Sequence, residues 1–244
     1  MDERIILAIG GADREAFLQG LVTNDVSLAT SGIVYAALLT PQGKYLSDFF
    51  LRAQDEEILL DVAESQAQAL AQRLSMYKLR ADVAITVSPL KVSIGTGPAP
   101  AGADRDPRHP DLGWRLYGEA ATSDGTDYDA IRVAHCIPAA GVELISNDTF
   151  VLEAGFERLN GVDFRKGCYV GQEVTARMKH KTSLRKGFAT VNVAGEAPVG
   201  TEITSEGKPA GTLYTQSGGR GIAYLRFDRA EGPMQAGTAA VTYP

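Results

Sequence analysis

"LNGVDFRKGCYVGQEVTARMKHK", residues 159 to 181, marks the joint between two kinds of chain. Its second half, from Gly171 onward, has helical potential, and after Gly187 no helical spacing remains. There "FATVNVAG", "TEITSEGKPAGTLYTQ", "RGIAYLRFD" and "TAAVTYP" are short apolar runs punctuated by turn residues, which predicts a small β-barrel or sandwich. Upstream of the joint, strand-like runs are interrupted by isolated helices. That is the pattern of α+β layers rather than of a parallel doubly wound sheet. The expected division is an α+β region over residues 1–182 and a barrel over 183–244.

Working back from the joint, "TDYDAIRVAHCI" (126–137) predicts a helix with Asp127 and Asp129 in its first turn, where the macrodipole favours them. "GPAPAGADRDPRHPDLG" (97–113) is rich in Pro and Gly and reads as a loop. "DVAITVSPLKVSIGT" (82–96) reads as strand, and "SQAQALAQRLSMYK" (65–78) places Ala67, Leu70, Ala71, Leu74 and Tyr77 at helical spacing. "GIVYAALLT" (32–40), "KYLSDFFLRA" (44–53) and "EILLDVA" (57–63) form a meander of strands. Asp13 stands where it can cap a helix running to about Gly20, and "IILAIGG" (5–11) is a short buried strand.

Composition bounds the function. The 244 residues are 44% apolar and 22% charged, enough to bury a core, and the length favours two domains. No run of about 18 apolar residues suggests a membrane span. The N-terminal "MDERIILAIGGADRE" lacks a basic segment with a cleavage site, so no export signal is read there. Two cysteines, Cys136 and Cys168, make neither a disulfide framework nor a metal knuckle, which fits a reducing, cytoplasmic compartment. The net charge of -6 argues against non-specific nucleic-acid binding. Residues 165–186 nevertheless hold seven cations (Arg165, Lys166, Arg177, Lys179, Lys181, Arg185, Lys186) against Glu173 alone. That run is either a solvated face or a seat for a polyanion such as a polyglutamyl tail, a phosphate or RNA.

Cys168 is the chemical centre of this reading. A thiol reacts as its thiolate, which cations and helix N-termini favour. Arg165 and Lys166 precede it, and a helix opening at Gly171 or Gln172 would turn free N–H groups towards it. Gly167 and Gly171 permit tight turns, while Gln172 and Glu173 add an amide and a carboxylate. The alternative is a small buried hydrophobe, the common fate of a lone cysteine. Cys136, inside the apolar "VAHCIP", reads as core. His109, His135 and His180 show no zinc-ligand spacing and take structural or surface roles, so no metal site is expected. No nucleophile elbow, P-loop or dinucleotide fingerprint is present.

Five stretches together resemble one family: "FLQGLVTNDV" (17–26), "TPQGKYLSDFF" (40–50), "RLSMYKLRADV" (73–83), the 159–181 segment and "LRKG" (184–187). They are similar to the YgfZ family of folate-binding proteins, which is related to the aminomethyltransferase T-protein of the glycine cleavage system. The resemblance spans nearly the whole chain and is weakest over 97–125. It implies a ring of ferredoxin-like α+β parts in two interleaved subdomains, plus a C-terminal β-barrel. The ring would surround a hole for tetrahydrofolate or a derivative. It also implies a role in assembling or maintaining four-iron clusters. By the same resemblance Cys168 is the signature cysteine, with Lys166, Gly167, Tyr169, Gly171, Gln172 and Glu173 completing the motif. Asp48 matches the functional aspartate of the T-protein. Asn24, Asp25 and Arg177 join it as expected folate-binding residues. One departure stands out: the glutamate that would grip the pterin is Ala134 here.

Three functions follow. The first is an accessory factor, not an enzyme, for iron–sulfur proteins and their assembly partners. Folate would lie between the N-terminal parts and the barrel, with Cys168 at the rim and the basic run taking the glutamate tail. The second is a folate-dependent one-carbon transferase, with Asp48 steadying the folate amine. The third, least favoured, is a tRNA-binding or tRNA-modification factor.

Overall fold

The computed structural model describes residues 3–180 and 183–244, so Lys181 of the basic run lies outside the described residues. The first layer is an antiparallel sheet of β1 (Arg4–Gly10), β2 (Val34–Leu39), β3 (Tyr45–Gln54), β4 (Glu57–Ala63) and β5 (Ala84–Val87), in the order β2-β3-β4-β1-β5. Its inner strands are buried along most of their length, polar Ser47, Asp48 and Asp61 included, because both faces are covered. Along β2, Val34, Ala36 and Leu38 join one core while Tyr35, Ala37 and Leu39 join another, the period-two alternation of a strand. The first core is closed by α1 (Arg14–Gln19) and α2 (Glu64–Lys78), which buries Ala67, Leu70 and Leu74 at the spacing read from the sequence. The second core is closed by the segment from Ile137 to Tyr169, with Phe156 stacked on Tyr35 at 5.0 Å.

The sequence "DVAITVSPLKVSIGT" supplies two strands to two sheets. β5 edges the first, and β6 (Lys91–Gly95) pairs with β8 (Trp114–Gly118), which also pairs with β7 (Asp104–Arg105). β7 lies inside the stretch expected to be wholly loop. The backbone of "ADR" finds partners on the neighbouring strand despite the flanking prolines, since only residues 104 and 105 need pair. Asp13 sits at the start of α1, but its carboxylate accepts from Asp82 N at 2.8 Å instead of capping the helix. α3 (Tyr128–His135) starts two residues late: Asp127 is its cap, accepting from Ala130 N, and only Asp129 lies in the first turn. α4 (Gln172–Lys179) follows the cysteine loop.

The chain ends in β9 (Lys186–Ala194), β10 (Thr201–Ser205), β11 (Lys208–Ser217), β12 (Arg220–Arg226), β13 (Met234–Ala236) and β14 (Ala239–Thr242). They close a six-stranded barrel in the order β10-β11-β12-β9-β14-β13. Closure removes the unpaired edges that an open sheet of this size would leave. Val191, Ile203, Leu213, Leu225 and Val241 fill the interior.

Candidate functional site

Three places carry chemistry, and they are distinct. The first is the Cys168 loop. Lys166, 8% exposed, turns away from the cysteine and buries its ammonium against the backbone of the 19–24 turn. Its Nζ donates to the carbonyls of Gln19 (2.8 Å), Val22 (2.6 Å) and Asn24 (2.9 Å). Three donors meet three acceptors, so the ammonium is fully bonded. Burial pulls its pKa down to about 8, with Asp25 and Asp163 acting in the opposite sense. On the other side of the cysteine, Tyr169 is buried in the second core. Gly171, at φ +84°, packs so closely that a Cβ would lie 2.6 Å from the Thr40 carbonyl. Gly167 has open space around it. Between these anchors the Cys168 side chain is exposed, and no hydrogen bond reaches its sulfur among the described residues.

The "TND" turn belongs to this anchor. Asn24 Nδ2 donates to the carbonyls of Tyr35 and Asn160 at 2.8 and 2.7 Å. The Asp25 carboxylate accepts from Ser27 N and Oγ and from Gln19 Nε2. These bonds, led by the Ser27 hydroxyl, hold its pKa below the usual carboxylate range. Thr23 Oγ1 donates to Gly161 O at 2.6 Å and accepts from Ala37 N. Thr23 and Asn24 therefore clamp the 159–168 segment, Asp25 braces its own turn, and neither Asn24 nor Asp25 borders the cavity at Asp48. Arg177 is likewise away from it: exposed on α4, it pairs with Glu173 one turn back at 2.6 Å. Gln172 opens that helix. The basic run is thus dispersed. Lys166 faces inward, Lys179 pairs with Glu157, and Arg185 and Lys186 face the barrel-side cavity described below.

The second place surrounds Asp48. Its two oxygens accept from Tyr45 (2.6 Å) and Tyr35 (3.0 Å). Beside it a cavity of about 160 Å³ is walled by four guanidiniums, Arg4, Arg108, Arg115 and Arg132. Asp61, fully buried, accepts from Arg4 and Arg115, each at 2.6 Å. Asp106 holds Arg108 at 2.7 Å, and Glu143 pairs with Arg132. Burial alone would raise Asp61, but the Arg115 and Arg4 charges outweigh it and keep the carboxyl below its ordinary range. Three of the guanidiniums also gather on the Phe50 ring, Arg115 at 3.9 Å from its centroid. This space fits a pterin poorly. It is smaller than ligand pockets of about 300 Å³ and upward, its only buried carboxylate already accepts two bonds, and Ala134 does not border it.

The third place is a cavity of about 800 Å³ between the barrel and the 143–153 segment. Phe188, Tyr214 and Tyr224 of the barrel form an edge-to-face group there. Glu153 accepts from Tyr224 at 2.7 Å, and Asp148, Lys44, Arg185 and Lys186 complete the polar lining. Neither Asp48 nor Cys168 borders this cavity, so the sequence expectation of one shared pocket divides into three.

His109 and His135, 26 positions apart in sequence, meet only in the fold. Their rings stack at 3.7 Å, and His135 Nε2 lies 2.7 Å from Asp111 Oδ2. Ligand atoms of His109, Asp111 and His135 come within 4.8 Å of one another. The rings are only 24° from parallel, so their in-plane lone pairs run side by side and do not converge on one ion. Cys136, at the end of α3, is mostly buried, and burial raises its thiol to about 11. It is no thiolate at neutral pH.

Comparison with known proteins places these features. Residues 185–244 match the family described as CAF17, C-terminal beta-barrel domain. The chain is similar to the mouse mitochondrial iron–sulfur cluster assembly factor IBA57, 30% identical over 98% of this chain and 80% of the relative. The human protein of the same name is also 30% identical, over 96% and 78%. In fold it is similar to the crystal structure of glycine cleavage system aminomethyltransferase T from Bartonella henselae. The TM-score is 0.77 with 13% identity, covering 98% of this chain and 81% of that one. The cytoplasmic location expected from cysteine usage is overturned by these relatives, which are named as mitochondrial proteins. Free thiols mark a reducing environment and do not distinguish one such compartment from another. With that identity across nearly its full length, the chain belongs to the family of IBA57 iron–sulfur cluster assembly factors.

Proposed function

We propose that the protein is an accessory factor in iron–sulfur cluster assembly and that it acts through the Cys168 thiol. The observation that carries this reading is the presentation of that side chain: exposed, between Lys166 and Tyr169, which are both buried. The relatives' names point the same way. One thiolate supplies one of the ligands that a four-iron cluster takes from cysteines, and Cys136, half-buried and with its thiol raised by burial, is a poor second. The iron or cluster is therefore cargo, held jointly with a partner protein that brings the remaining ligands. Lys166 and the "TND" clamp fix the backbone on which that ligand stands, so the thiol meets its partner with little ordering cost. The test is replacement of Cys168 by Ala in cells lacking the gene, with a four-iron enzyme as readout. Loss of that activity at unchanged protein level is expected, and normal activity removes the thiol from the function.

Folate belongs to this proposal at the barrel-side cavity, not at Asp48. Its volume of about 800 Å³ and aromatic walls suit a ligand of that size. Asp148 and Glu153 would accept from pterin N–H groups, and Arg185 and Lys186 would take the glutamate. A one-carbon transferase is the second reading, favoured by the T-protein fold and by the buried Asp48. Purified protein given tetrahydrofolate and an aminomethylated lipoyl carrier would form methylenetetrahydrofolate on that reading. Turnover no faster than background rejects it.

A further inference from the structure

The space beside Asp48 contains one group that nothing in the fold uses. Tyr128, on the first turn of α3, is 8% exposed, and its hydroxyl has no hydrogen-bond partner among the described residues. Buried hydroxyls are nearly always bonded, and one left alone costs stability. Tyr128 borders both the 160 Å³ cavity and a groove of about 750 Å³ that opens beside it. Arg4, Arg115 and Asp129 are likewise common to the two spaces, so the small cavity is the inner end of the groove.

The bonds already made around that inner end decide what it can receive. Asp48 accepts from two tyrosines, and Asp129 accepts from Arg132 at 2.7 Å. Arg4 commits Nε and Nη2 to Asp61, while Arg108 commits Nε and Nη2 to Asp106. The donors left over are the Tyr128 hydroxyl and the Nη1 edges of Arg4 and Arg108, beside the lone pairs that Asp48 and Asp129 keep. The groove wall is mixed in charge, with Lys91, Arg4 and Arg115 facing Glu3, Asp127 and Asp129. We infer that this cavity binds the oxyanion end of a small molecule, a carboxylate or a phosphate, which accepts from Tyr128 and the arginine edges. Its volume takes a group of a few heavy atoms, and the rest of the ligand lies along the groove. Guanidiniums fixed by buried carboxylates and by the Phe50 ring are preorganised for such recognition.

Isothermal titration of the purified chain tests this, with sodium phosphate, sodium citrate and sodium chloride at matched ionic strength and with tetrahydropterin as a fourth arm. Saturable binding of phosphate or citrate at one site, absent with chloride, is expected. Whichever of the two binds identifies the oxyanion. Tyr128→Phe removes only the orphan hydroxyl, so the free variant melts no lower than the natural chain while its affinity drops about tenfold, the effect of losing one hydrogen bond to a charged group. Lys91→Ala, at an exposed position, weakens binding less. The inference is overturned if neither oxyanion binds, if Tyr128→Phe binds as tightly as the natural chain, or if tetrahydropterin alone occupies the site. None of these outcomes bears on the thiol.

Discussion

The Cys168 loop and the Asp48 cavity both bury cations, and they do so by opposite means. In the loop one ammonium is bonded by three neutral carbonyls, and no carboxylate among the described residues touches it. In the cavity four guanidiniums are matched against Asp61, Asp106 and Glu143. Carbonyl bonding ties together stretches of backbone, here the 19–24 turn and the 166–168 loop, and so fixes where the chain runs. Carboxylate bonding fixes where side-chain edges point and leaves a space between them. The first arrangement presents an atom outward. The second makes a receptacle.

The largest effect should come from breaking the second arrangement. Asp61→Ala strips the partner from Arg4 and Arg115 in a site with no access to water, and should cost about 3–5 kcal/mol by urea denaturation. Lys166→Met follows. It leaves three carbonyls without their donor and should cost about 2–4 kcal/mol. Because the cavity does not depend on that clamp, oxyanion binding should survive Lys166→Met while hydrogen exchange over residues 19–25 quickens. If both regions loosen together, the comparison fails.

Acid sharpens the contrast. Asp61 is held below its ordinary range in the folded state, so its contribution is complete above about pH 4, the unfolded value, and is lost as pH falls through the folded one. Stability should therefore decline below about pH 4, and Asp61→Asn should flatten that decline. The two glycines of the motif supply a smaller pair. Gly171→Ala meets both the positive φ and the Thr40 carbonyl and should cost about 1–3 kcal/mol, whereas Gly167→Ala should stay within about 0.5 kcal/mol.

Much of the architecture was legible from local pattern. Short apolar, β-rich runs between turn residues gave β1 to β4, helical spacing gave α2, and the turn-punctuated tail gave the barrel. Side-chain direction was not legible. Lys166 looked like a cation beside a thiol, yet it points to carbonyls more than 140 positions earlier. Asn24 and Asp25 looked like cavity residues, but their side chains serve the backbone around them. The Asp61–Arg115 pair spans 54 positions, and nothing in either neighbourhood announces it. Tyr128 was read only as part of a helix, because an unpartnered hydroxyl exists only once everything around it is placed.

What separates the two cysteines is the most direct test of the account. Native protein is mixed with a thiol-specific disulfide reagent, and the modified residue is located by mass spectrometry. One sulfur per chain should react quickly, at position 168, with half-buried Cys136 reacting far more slowly until the protein is denatured. A native protein in which Cys168 stays unmodified, or in which Cys136 reacts first, would contradict the claim that the fold holds this thiol out for a partner.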